Sequence, residues 1–225
     1  MASVGGHLDV AWLLIEHSAN VAAQSEDGQI ALHVASFWGN VDVARLLIKH
    51  SANAAAQSEG AATPLHQASV RGHLDVARLL IVHNADAAAQ SKNGTTPLHC
   101  ASEQGHVDLA QLLIKHGADA ATQSNDGTTL LHWASLGGHV DLAQLLIEYG
   151  ADVAAKSNDG TTPLHGVSEQ GHVELARLLM EHGTNVVAQS DDGSTPLDRA
   201  SLGGHVDLAR LLIEHDVKVA AHGRV

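Results

Sequence analysis

Large rings are almost missing from this chain: one Phe, one Tyr and three Trp in 225 residues. Its packing inventory is therefore Leu, Ile, Val and Ala, which suits thin, close-packed helix layers rather than a wide pocket. Cys100 is the lone cysteine, so an internal disulfide is excluded and a reducing compartment fits. Lys and Arg number 12 against 25 Asp and Glu, a formal net charge of −13. A nucleic-acid surface needs a basic stripe that this balance denies, and an anionic membrane is equally disfavoured. The acidity keeps an extended chain soluble and leans toward a basic or neutral partner. No apolar run reaches membrane-spanning length and no basic-plus-hydrophobic leader opens the chain, so the expected location is cytoplasmic, as a soluble intracellular protein. Also missing are a Gly-rich phosphate loop ending in Lys-Ser/Thr, a Gly-x-Ser-x-Gly elbow and a His-Glu-x-x-His pair. Without them the expectation is no enzyme, no catalytic residue, no metal and no cofactor.

What is present is one phrase repeated every 33 residues. It is clearest at Thr63-Pro64-Leu65-His66, Thr96-Pro97-Leu98-His99 and Thr162-Pro163-Leu164-His165. Blurred copies stand at Ile30-Ala31-Leu32-His33, Thr129-Leu130-Leu131-His132 and Thr195-Pro196-Leu197-Asp198. A second phrase, Gly-His followed by Val or Leu and an acid, keeps the same step at Gly72, Gly105, Gly138, Gly171 and Gly204. It also occurs at Gly6, and as Gly39-Asn40. A fixed period of this size marks one supersecondary unit stacked into a solenoid.

Residues 91–123 show how one copy is built. Ser91-Lys92-Asn93-Gly94 predicts a tight turn with Gly94 at positive φ. Thr96 caps a first helix, and Pro97 suits its first turn, where a missing N–H costs nothing. Gly105 closes that helix in the left-handed conformation. Asp108 then meets the positive end of a second helix, whose buried stripe is Leu109, Leu112 and Leu113, with Ala110 allowing close contact. One copy cannot bury both faces alone, so copies must stack.

These phrases resemble the ankyrin repeat, and the resemblance spans the whole chain. It implies an all-α fold, a solenoid of stacked helix-turn-helix units with projecting β-hairpin-like turns. Residues 1–225 then form a single ankyrin-repeat domain: a half repeat at 1–24 and repeats at 25–57, 58–90, 91–123, 124–156, 157–189 and 190–222. The resemblance also implies that the concave surface of turns and first helices binds a protein partner. Departures are local. Ser18, Ser51, Asn84 and Asp216 replace the glycine that usually ends the second helix. Ala61 takes the turn-glycine slot with Gly60 displaced by one, which predicts an irregular turn over 59–62. Asp198 replaces the phrase histidine.

The repeat accounts for 17 of the 18 histidines, leaving only His222 outside the pattern. Five follow the phrase leucine, six follow the closing glycine, and six end the second helix. The resemblance implies that the first two classes make structural hydrogen bonds to backbone and to neighbouring copies. Copies of one slot lie about 8–10 Å apart, too far to share one zinc. The pairs Asp42–Arg45, Asp75–Arg78 and Asp207–Arg210 read as solvated helix neighbours.

Identical copies would encode no particular partner, so recognition must sit where the copies differ. Just before the closing glycine the pairs run Phe37-Trp38, Val70-Arg71, Glu103-Gln104, Leu136-Gly137, Glu169-Gln170 and Leu202-Gly203. By resemblance this column faces the concave side, beside turn tips such as Glu26-Asp27 and Glu59. The candidate protein-binding residues are therefore Glu26, Asp27, Phe37, Trp38, Glu59, Val70, Arg71, Glu103, Gln104 and Leu136, with the aromatic pair as apolar anchor. The function expected is a non-catalytic scaffold for a protein or peptide partner. The alternative is a sensing array excised from a larger multidomain signalling or immune-type receptor. Neither end carries the polar face of a capping repeat. That predicts a part of a longer array, and end-to-end self-association through its terminal repeats.

Overall fold

Each copy folds as its two phrases dictate. In the computed structural model, which describes residues 2–222, the chain forms two compact units, Met1–Asp119 and Ala120–Val225. The first unit holds α1 (Ala2–Gly5), α2 (Leu8–Glu16), α3 (Ala31–Phe37), α4 (Val41–Lys49), α5 (Pro64–Arg71), α6 (Leu74–Val82), α7 (Pro97–Gln104) and α8 (Val107–Lys115). The second holds α9 (Leu130–Gly137), α10 (Val140–Glu148), α11 (Pro163–Gln170), α12 (Val173–Glu181), α13 (Pro196–Leu202) and α14 (Val206–His222). Within each unit the first helices of successive copies pack on one another, and the second helices form a layer behind them. The described residues contain no β-strand; the turns contribute one isolated antiparallel bridge, Gln123 to Thr129.

The caps follow from residue chemistry. Thr96 sits extended (φ −108°, ψ 167°) with Pro97 as the first helical residue, and Gly105 ends the helix at φ 74°. The same sequence of events recurs at Thr63-Pro64 with Gly72 and at Thr162-Pro163 with Gly171. The closing glycine is needed twice over. Its φ is one that a side chain resists, and a methyl on Gly39 or Gly72 would stand 2.6 Å from the ring of His73 or His106 in the next copy.

Packing repeats as columns. Leu32, Leu65 and Leu98 in the first unit, and Leu131 and Leu164 in the second, are fully buried. Behind them Val76, Leu142, Leu175 and Leu208 fill the second-helix stripe, while Ala44, Ala77, Ala110, Ala143 and Ala176 leave no bulk where layers meet. A column of alanines between leucine columns is what lets thin layers reach interior density without aromatic rings.

Two expectations need correction. The turn at 59–62 is regular. Ser58 N–H donates to the Ala62 carbonyl and Ala61 N–H to the Ser58 carbonyl, both at 2.9 Å, the pattern of Ser91, Thr95 and Gly94. Ala61 accepts a left-handed φ of 57° instead, because the neighbouring tips are tied to one another: Glu59 N–H donates to the Asp27 carbonyl and Lys92 N–H to the Gly60 carbonyl. Asp216 does not end its helix as a glycine substitute. Ser18, Ser51 and Asn84 turn left-handed in that slot, but α14 runs straight through Asp216 for 17 residues, against nine in α12. The side chain of His222 lies outside the described residues.

Candidate protein-recognition face

Two sets of side chains occupy the first-helix layer: histidines that join copies, and the variable column that lies over them. In the joining set, Nδ1 of His66 accepts from the Thr63 backbone N–H at 3.1 Å, and Nε2 lies 3.1 Å from the Thr95 carbonyl. His33 does the same between Ile30 and Ala62, His132 between Thr129 and Thr161, and His165 between Thr162 and Ser194. A backbone N–H only donates and a carbonyl only accepts, so these rings are neutral with the proton on Nε2. Burial lowers the pKa of all four, against a smaller opposing pull from the carbonyl each one meets.

The histidines after the closing glycine bond backwards: His73 to the Phe37 carbonyl at 3.1 Å, His172 to Leu136 and His205 to Glu169. Asn40 fills this role with its amide, donating to the Ser3 carbonyl at 2.6 Å. Asp198 keeps the cap, its carboxylate accepting from the Thr195 N–H at 2.8 Å and hydroxyl at 2.7 Å, but has no second nitrogen to reach onward. Those bonds hold its pKa down, the hydroxyl first. The six helix-ending histidines include His17, His83 and His182, whose Nδ1 lies against the carbonyl four residues back. Burial pushes the Cys100 thiol up to about 12, with Glu103 adding to it, which leaves the sulfur inert as a nucleophile. Among the described residues no three His, Cys, Asp or Glu side chains converge as a metal set.

The variable column is where the two units part. In the first, Phe37 is half-buried and Trp38 is 50% exposed, their rings edge to face at 5.5 Å and 82°. The Arg71 guanidinium lies 4.5 Å above the Phe37 ring, a cation–π contact made from the next copy, with half-buried Val70 beside it in the chain. Glu26, Asp27 and Glu59 are exposed at the turn tips. Asp27 is largely spent within its own turn: its carboxylate takes the Ser25 hydroxyl and the Gln29 amide, and the Ser25 bond leads in lowering its pKa. Glu103 and Gln104 are exposed on α7. Leu136, on α9 of the second unit, is 42% exposed.

The family is settled by the match along the chain. Residues 1–90, 65–157 and 154–222 each fit the ankyrin repeats. The chain belongs to the ankyrin-repeat family. The crystal structure of the human ASB11 ankyrin repeat domain is similar to it at a TM-score of 0.86 and 26% identity, over 95% of both chains. No curated protein matches it significantly. No helix among the described residues is long and apolar enough to cross a membrane.

Against this ankyrin frame, sequence reasoning missed one cluster. Arg199 of α13 bridges Glu169 on α11 at 3.5 Å and Asp192 at the turn tip at 3.3 Å. The signal was available: in the other copies the slot of Arg199 holds Val34, Gln67, Cys100, Trp133 and Gly166, none of them charged.

Proposed function

We propose that this ankyrin-repeat protein is a non-catalytic interaction scaffold that docks a polypeptide partner along its concave first-helix face. Ankyrin repeats act as protein-interaction modules, and the unbroken 33-residue step supports one recognition domain across 1–225. The observation that carries the reading is the group formed by Phe37, Trp38 and Arg71: a half-exposed indole held edge-on to a ring that an arginine covers. Trp and Arg are the side chains that most often dominate binding energy. Val70, Glu103 and Gln104 extend this surface, while Glu26, Asp27 and Glu59 form an acidic rim that favours a basic or neutral partner and acts mainly on association rate. Its place of action is the cytoplasm, where the lone, inert Cys100 raises no redox conflict. Exposed Trp12 and Leu13 on α2, and Ile213 and Val217 on α14, add self-association through the terminal repeats, checked by sedimentation at rising concentration.

The test is capture of the cognate partner by the intact chain and by a Phe37→Ala, Trp38→Ala double variant. Binding is expected to weaken by about 2 kcal/mol. Gln111→Ala with Lys115→Ala, exposed on the second-helix layer, is expected to leave capture unchanged. Equal weakening by both folded variants sinks the localised anchor.

A further inference from the structure

Beyond the aromatic group, the second unit carries a surface of different chemistry on its own first helices. Leu136 and Leu202 are 42% and 90% exposed, large apolar residues in one slot of α9 and α13. In the copy between them the Leu136 side chain packs against Gly166 on α11, where a methyl would lie 3.4 Å from its Cδ2. One turn further along α11 stands Glu169, half exposed, in the slot that Leu136 and Leu202 hold in the flanking copies. Two apolar knobs thus flank a carboxylate.

Acidic side chains outnumber basic ones around this strip. Glu169 and Asp192 are joined by Arg199, whose guanidinium is already shared between them and whose side chain is the least exposed of the three. Asp126 and Asp159 at the neighbouring tips stay ionised, their pKa lowered first by the hydroxyls of Ser124 and Ser157. Arg199 therefore neutralises only part of a strip that is apolar at both ends and acidic in the middle and along its edge.

We propose that this strip is a second docking surface, for an extended peptide segment that places a Lys or Arg between two apolar residues. Spacing makes the proposal specific. Leu136 and Leu202 are two copies apart, roughly 16–20 Å at helix-layer separations of about 8–10 Å. An extended chain rises about 3.3 Å per residue and alternates its faces, so the apolar residues of the ligand stand about six positions apart on one face, with the cation two or four positions along on that same face, within reach of Glu169. The apolar ends supply affinity and the carboxylates supply register. The proposal rests on the scaffold reading but not on the aromatic anchor, which lies in the other compact unit.

The probe is a fluorescent synthetic peptide with two leucines about six residues apart, lysines between them and serine elsewhere, titrated against the full chain. Saturable binding is expected, weakened about ten-fold or more by Leu136→Ser with Leu202→Ser, and by Glu169→Gln to a lesser degree. Phe37→Ala with Trp38→Ala is expected to leave it unchanged. Amide shifts in the labelled chain should map to α9, α11 and α13, and circular dichroism shows that the variants remain folded. The proposal is overturned if a peptide with serine in place of both leucines binds equally, since that is attraction of charge alone. It is also overturned if adjacent leucines bind as well as spaced ones, if the aromatic variant weakens the probe as much as the leucine variant, or if no binding is seen. The scaffold reading fails by a separate result, no capture of a polypeptide partner by the intact chain, in which the probe plays no part.

Discussion

Among the described residues, every left-handed position that is not glycine lies in the first compact unit: Ser18, Ser51, Ala61 and Asn84. The second unit holds Gly127, Gly150, Gly160, Gly183 and Gly193 at the corresponding turns, all with positive φ. The backbone takes the same path in both, so the first unit follows it at a conformational cost of about 1–2 kcal/mol for each such residue, less for Asn84. The difference teaches that the path is set by the joints between copies and not by the residues at the bends. The same unit carries the aromatic and cationic column.

Summed strain is the largest effect this contrast implies. Amide exchange around residues 1–60 is expected to be about ten-fold or more faster than around 130–180, because repeat arrays open where local stability is lowest. Equal protection in the two stretches would break the comparison. A joint matters more than any one bend. His66→Ala removes the acceptor for the Thr63 N–H and the donor to the Thr95 carbonyl. The expected loss is about 2–3 kcal/mol in urea unfolding, and His165→Ala in the second unit should cost a similar amount. Exchanging the bends themselves has a smaller effect: Ala61→Gly should stabilise by about 1 kcal/mol, and Gly150→Ala should destabilise by as much. If both changes are neutral, the bends are not strained and the contrast has no energetic content.

The smallest effect is in pH. His33, His66, His132 and His165 have folded-state pKa values below their ordinary value because burial penalises the charged ring. The unfolded chain therefore binds protons first, so stability is full above about 6.5 and declines as pH falls toward the folded values. Two of these rings lie in each unit, so the loss between pH 7 and pH 5 should be shared. Carboxylates respond lower, where Asp126, Asp159, Asp192 and Asp198 of the second unit are held down against Asp27 alone in the first. Their contribution is present above about 4 and is lost as pH falls further. Below pH 4 the second unit should thus lose protection faster than it does between 7 and 5. A thermal midpoint flat from pH 7 to 5 would remove the histidine half of this picture.

Much of this was legible beforehand. The cap, the first-turn proline and the closing glycine each answer to a rule of local geometry, so helix starts such as Pro64 and ends such as Gly105 follow from residue type. What the linear pattern does not carry is the effect of stacking. Ala61 looks like a broken turn until the ties from Glu59 and Lys92 are seen to impose the regular one. Phe37 and Trp38 are neighbours in sequence, but only the rise to the next copy puts Arg71 over one ring and leaves the other half bare. Arg199 reaches Glu169 and Asp192 for the same reason: its partners are set by copy-to-copy distance. The run of α14 through Asp216 is not in the linear pattern either, since Ser18, Ser51 and Asn84 in the same slot do turn left-handed.

Every described bridge from a phrase histidine ends on a main-chain oxygen, at Ala62, Thr95, Thr161 or Ser194. Such a joint recognises that a peptide group is there and is blind to whose it is. Copies can therefore be duplicated, deleted or exchanged by recombination in whole steps without two side chains having to change together. Length can drift while the outward column drifts independently, so one lineage of such a gene can sample new partners by reshuffling intact modules instead of rebuilding an interface residue by residue.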